Sequence, residues 1–175
     1  MAKTLKLKRF TLFVLVFMLA PFKLALAEDY SALNDFIGQW QANGKAFGQP
    51  AFVLMEWAPT LNDKFVRLDY SISSADKNSE TGERTLYFQG VAYYKQLNDN
   101  TLKAFWADNT GDFHPIQASR DGNTLIVLWG VEGEKQGKTK YALTDSDSIQ
   151  VTDWILKDDV WTEFSDNLLF KVEVE

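Results

Sequence analysis

The chain of 175 residues has no cysteine and a single histidine, His114. The first absence removes disulfides, thiolate nucleophiles, iron–sulfur clusters and cysteine-bound zinc. The second removes any metal site of several histidines, and a Ser–His–Asp arrangement would have to use His114. No serine stands in a strained Gly-x-Ser-x-Gly elbow, so that chemistry has no nucleophile. Positive charge is also scarce: 18 Lys+Arg against 24 Asp+Glu leave a net charge of −6. A chain this acidic repels phosphate backbones, which argues against nucleic acid as a partner.

Long apolar runs are nearly absent. The one exception is FTLFVLVFMLA, residues 10–20, only about half the length needed to cross a hydrocarbon core. Lys3, Lys6, Lys8 and Arg9 precede it, Pro21 follows, and Ala25-Leu26-Ala27 supplies small residues. This pattern predicts a secretory signal peptide over residues 1–27, cleaved after Ala27, and a periplasmic or secreted protein. Cleavage removes five positive charges and no negative ones, taking the net charge from −6 to −11. Export would permit disulfides, yet none can form. Stability must therefore come from packing, and residues 28–175 hold all six tryptophans and all six tyrosines.

Helical signal is confined to YSALNDFI, residues 30–37, with apolar positions at 30, 33, 36 and 37 and Ser31 as a candidate N-cap. Gly38 ends it. Everything afterwards predicts strands, near 39–46, 51–58, 64–74, 84–95, 101–108, 113–119, 123–131, 137–145, 148–157 and 160–172. In KFVRLDYSI, Val66, Leu68, Tyr70 and Ile72 share one face, and Phe65, Arg67, Asp69 and Ser71 the other. Short polar turns (LND, NTGD, DGN, SDS, KDD) separate these runs, which is the punctuation of sequential antiparallel pairing. An open meander of this length would leave two long edges, and closure removes them. The fold class expected is all-β, an antiparallel up-and-down barrel of about ten strands with one short N-terminal helix. Beyond about eight strands side chains no longer fill the interior, so a cavity follows from geometry. Lys103, Lys138, Lys140 and Lys171 fall at outward positions. They would be costly against lipid, so no membrane insertion is expected after cleavage.

The stretch DFIGQWQANG, residues 35–44, is the most informative motif. A phosphate-binding loop places its glycines after a strand and before a helix, and the order here is reversed. Phe36-Ile37-Gly38-Gln39-Trp40 instead resembles the Gly-x-Trp entry of calycin-type barrels, which include lipocalins, fatty-acid-binding proteins and nitrobindins. Gly44, Met55-Glu56-Trp57, FQGVAYYK (88–95) and FWADNTGDF (105–113) extend the likeness in order and spacing. The run is most similar to bacterial exported barrels related in shape to nitrobindin. The resemblance implies a ligand-holding lumen plugged by Trp40. Nitrobindin-like barrels hold haem through a histidine on a late strand. Residues 160–172 contain none, so the ligand does not carry over, and no cofactor is expected. His114, before Pro115, is expected at the rim.

Eight aromatics (Trp57, Tyr94, Phe105, Trp106, Trp129, Tyr141, Trp154 and Trp161) are spread over seven expected strands, and in a closed barrel some must line the lumen. Four acids, Glu56, Asp69, Asp153 and Glu163, interrupt apolar or aromatic strands, and any that points inward needs a partner. For Asp69 that partner would be Arg67, although a solvated outer-face pair reads as well. The candidate ligand-contacting residues are thus Trp57, Arg67, Asp69, Tyr94, Trp106, His114, Trp129, Tyr141 and Trp154, with no metal site and no assigned catalytic residue. Three functions stay open. One is an exported barrel that sequesters a small hydrophobic or amphipathic ligand. Another is a barrel enzyme, an isomerase or hydrolase, using an inward carboxylate beside a tyrosine. The last is a filled barrel acting through its surface, for which LLFKVEV, residues 168–174, offers an apolar patch.

Overall fold

A computed structural model describes residues 30–145 and 147–173; the expected leader lies outside them. The described residues form ten strands: β1 (Gly38–Ala46), β2 (Gln49–Thr60), β3 (Phe65–Ser74), β4 (Leu86–Asn98), β5 (Thr101–Asp108), β6 (Phe113–Asp121), β7 (Thr124–Gly130), β8 (Gln136–Leu143), β9 (Ser148–Lys157) and β10 (Val160–Lys171). Each pairs antiparallel with its sequence neighbour, and β10 pairs back with β1 to close the barrel. Alternation builds the interior: along β2, Ala51, Val53, Met55 and Trp57 are buried while the residues between them are not. The turns carry the backbone strain that short hairpin connections demand, in the four residues between β2 and β3 and the two between β9 and β10. Leu61, Asn62 and Asp63 all take positive φ, as do Asp158 and Asp159, matching the LND and KDD signals.

One end of the barrel is solid. The expected amphipathic α-helix is a 3-10 helix, Ser31–Phe36, with Tyr30 at its N-cap and no side-chain cap bond. Six residues are too few to sustain an α-helix on their own, and neighbouring strands hold this segment. Gln96 Oε1 accepts from the Ala32 amide at 2.9 Å, and its Nε2 donates to Ser31 Oγ at 3.1 Å. Arg120 donates to the Ala32 carbonyl at 2.9 Å and pairs with Asp35 at 2.7 Å. Leu33 and Phe36 are fully buried. Gly38 then turns at φ 127, a conformation only glycine adopts cheaply, and chain entry into β1 follows. Trp40 is fully buried and donates Nε1 to the Phe36 carbonyl at 2.8 Å. In the same core, Phe36, Trp57, Tyr94 and Tyr141 cluster with centroids 5.2–6.5 Å apart, Tyr141 edge to face with Phe36 and Trp57 and the other pairs tilted.

Closure is thinnest between β1 and β10. Their Cα register comprises Trp40↔Lys171 and Gln41↔Phe170, continued toward the plugged end by Val172 N donating to Gln39 O at 2.8 Å. Toward the other end a side chain replaces the ladder. Asn167 Oδ1 accepts from the Lys45 amide at 3.2 Å, and Nδ2 donates to the Lys45 carbonyl at 3.3 Å. Gly44 leaves room for that amide, because a Cβ there would collide with Asn167. Replacing Asn167 with Leu orphans both backbone groups. Denaturant melts should show a loss of about 1–3 kcal/mol. Hydrogen exchange should speed at the Lys45 amide while β3 to β8 stay protected; an unchanged Lys45 would refute the role of this amide.

Candidate functional site

The end opposite the plug is open, and below it lies a cavity of about 620 Å³, within the range of small-molecule sites. Phe47, Tyr87, Thr110, Asp112, Lys135 and Lys157 surround its mouth, and Tyr94 and Tyr141 form its floor. Phe47 sits at φ 53 in the β1–β2 turn, 69% exposed. That conformation is costly for a bulky residue, and its ring meets Phe88 at 6.3 Å.

Two glycines keep the lumen open. A Cβ at Gly90 would strike the indole of Trp106, and one at Gly137 would strike that of Trp129. Each indole therefore lies over the bare backbone of the adjacent strand instead of projecting across the barrel. Both are anchored through Nε1: Trp106 donates to Asp108 at 2.9 Å and Trp129 to Thr139 at 3.3 Å. Phe88 stacks on Trp106 at 6.1 Å, and Tyr70 meets both rings edge-on. An aromatic wall thus runs over β3, β4 and β5.

The facing wall, on β8, β9 and β10, carries the polar groups. Asp153 Oδ1 accepts from Thr139 Oγ1 at 2.6 Å, and the Ser165 hydroxyl stands beside the same carboxyl and favours its charged form. A β-bulge between Glu163 and Ser165 makes this possible. It shifts the phase of β10 by one residue, so that both Phe164 and Ser165 line the cavity and Ser165 stands opposite Asp153. Burial pushes the Asp153 carboxyl up to about 6, against the opposing influence of the Thr139 and Ser165 hydroxyls. Burial likewise raises the phenols of Tyr70 and Tyr141, with the Asp153 charge adding to both, so they stay protonated. Around the mouth, burial would raise Asp108. Bonds from Thr110 and Trp106 and from backbone amides outweigh it and hold the carboxyl below its ordinary value. Asp112 is lowered chiefly by Lys135, 2.6 Å away.

Of the residues expected to contact a ligand, Tyr94, Trp106, His114, Trp129 and Tyr141 line this one cavity. His114 is on its upper wall, as a rim position requires, with its side chain 14% exposed. Its ring lies 5.4 Å from Trp129, and its Nε2 is buried without a hydrogen bond, 3.5 Å from Asp112 Oδ2. Trp57 is packed within the floor cluster, not on the cavity surface. Three residues point away from the lumen. Arg67 and Asp69 form the outer-face pair, at 2.6 Å and about two-fifths exposed. Trp154 lies outside, under Lys138 at 4.3 Å. The reason is parity: inward residues on β9 are odd-numbered, and Trp154 is even. Tyr70, Phe88, Thr139 and Ser165 complete the site without having been expected in it. Tyr70 was legible from alternation in β3, and Asp153 as an acid interrupting a strand, but the bulge that presents Ser165 leaves no such trace.

An ionised carboxylate on the cavity wall weakens the fold, and the sign follows from the raised value. Stability is fullest below the unfolded value of 3.8 and is lost as pH rises through about 6. A shift of that size corresponds to at most about 3 kcal/mol, less to the extent that water in the lumen reaches the carboxyl. Asp153→Asn should therefore be more stable than the parent at pH 7, with the difference vanishing near pH 4. Parallel thermal melts across that range check it, and a constant difference would contradict the assignment.

No family model matches the chain, and no curated protein matches it. Among solved structures it is similar to Rv2717c from M. tuberculosis, with a TM-score of 0.62 at 11% identity over 85% of this chain and 99% of that one. At that identity the likeness is one of fold.

Proposed function

We propose that this chain is an exported, calycin-like barrel that sequesters a small amphipathic molecule in its lumen. The observation that carries the reading is the open cavity itself, kept clear by the seating of Trp106 and Trp129 over Gly90 and Gly137. A packed barrel would have no use for glycines beneath its two largest luminal side chains. Entry of a flat apolar body removes its surface from water at about 25 cal/mol per Å². The polar wall at Asp153, Thr139 and Ser165 then orients it. Haem has no part in this reading. Strand β10 carries no histidine, and His114 Nε2 lies beside Asp112 at the mouth.

A second reading, a barrel enzyme, draws on one observation. Asp153, raised to about 6, faces the neutral phenols of Tyr70 and Tyr141 in a cavity, and an acid tuned near neutrality suits proton transfer. Its hydrogen bond comes from the Thr139 hydroxyl, which positions a carboxylate but does not relay a proton to a second base. Binding is the more economical use.

Native mass spectrometry of protein purified from its own compartment without refolding tests this. A discrete extra mass that disappears on denaturation is expected, with no Soret absorbance. Gly137→Val, which drives the Trp129 indole into the lumen, should lose that mass while keeping a β-rich circular dichroism spectrum. A clean apo mass, with no uptake of apolar amphiphiles by the parent, would overturn the reading.

A further inference from the structure

The bonds around Asp153 narrow the chemistry of what the lumen accepts. The two hydroxyls beside its carboxyl, one bonded to it and one across from it on β10, are themselves held from behind. Thr139 Oγ1 receives Trp129 Nε1 at 3.3 Å, and Ser165 Oγ receives Asn167 Nδ2 at 3.1 Å. The Thr139 hydroxyl has one proton, and with the donor behind it on a lone pair that proton goes to Asp153. A carboxylate that offers about four acceptor positions is left with most of them free. Among the described residues no lysine or arginine pairs with it. The two cations of the cavity, Lys135 and Lys157, sit at the mouth, and Lys135 is engaged by Asp112 at 2.6 Å.

Around those free acceptor positions the wall is aromatic. The Asp153 charge acts on Tyr70 from β3 and on Tyr141 from β8, and Trp129 is one hydroxyl away through Thr139. An enclosed carboxylate flanked by π faces is the arrangement that recognises an organic cation, by charge-assisted hydrogen bonding and by cation–π attraction together. Resting on the lumen-binding reading above, we propose that the lumen selects a protonated amine on a flat apolar body: the ammonium is held by Asp153 between Tyr70, Tyr141 and Trp129, and the body lies against Phe88 and Trp106. An anionic head group would meet the carboxylate without relief. A neutral alcohol would satisfy one acceptor and leave the charge uncompensated.

Three probes sharing one skeleton decide the matter by calorimetric titration at pH 7.5: 2-naphthylmethylamine, 2-naphthylmethanol and 2-naphthoic acid. The amine should bind at least about tenfold more tightly than the alcohol, since hydrogen bonds between ions are roughly twice as strong as neutral ones, and the acid should bind most weakly. Asp153→Asn should abolish the preference for the amine and keep the alcohol's affinity within about threefold, as expected of a change confined to the head group. If that variant does not fold, the ranking on the parent protein decides alone. An amine advantage below tenfold, or an acid that binds best, would overturn the head-group proposal and leave the lumen reading standing on the alcohol. Binding of none of the three would overturn both.

Discussion

Ten strands that close on themselves must leave space inside, because barrel diameter grows with strand number faster than side chains can fill it. Every other feature of this molecule answers that constraint. The short helix Ser31–Phe36, with Trp40 behind it, fills one end, tied down by Gln96 and Arg120 from strands far away in sequence. Closure needs a last pairing, and here it is brief. The Asn167 amide continues what the β1 and β10 backbones begin. One side chain thus joins two tasks, since the same amide also donates to Ser165, which stands opposite Asp153.

The remaining space is sorted by polarity. Tyr70, Phe88 and Trp106 make one wall aromatic, whereas Thr139, Asp153 and Ser165 make the opposite wall polar. A buried carboxylate without a cation is a cost that folding alone has no reason to accept, and under the proposed binding function its placement on the surface of a cavity gives that cost a use. The same logic applies to Gly90 and Gly137. Isolated glycines weaken strands, and here they let two indoles lie flat so that volume is preserved.

How much of this was legible in the sequence depended on the range of the signal. Alternation is a local property, so Val66, Leu68, Tyr70 and Ile72 were assignable to the inner face of β3, and Lys103, Lys138 and Lys140 to the outer face. Lys171, expected outward as well, instead pairs with Trp40 on the inner face at the plugged end and lays its ammonium over that ring at 5.2 Å. Turn chemistry is local as well, and LND and KDD marked true hairpins. Trp154 went to the wrong side because face assignment along a strand turns on parity, and a one-residue slip exchanges inside for outside. The last strand loses alternation because it carries apolar residues on both faces past the bulge at Phe164: Leu169 buried, Leu168 and Phe170 exposed. From there Asn167 and Leu169 face inward and Leu168 and Phe170 outward.

The sequence by itself determined the strand pattern, the sequential antiparallel order and the need for a lumen, since these follow from residue periodicity, turn residues and strand count. Only the tertiary structure decided which acid faces that lumen and what surrounds it. Asp153, Tyr70 and Ser165 belong to strands that meet across the barrel or through a bulge, and no local pattern records how far the closed sheet rotates before its first and last strands pair.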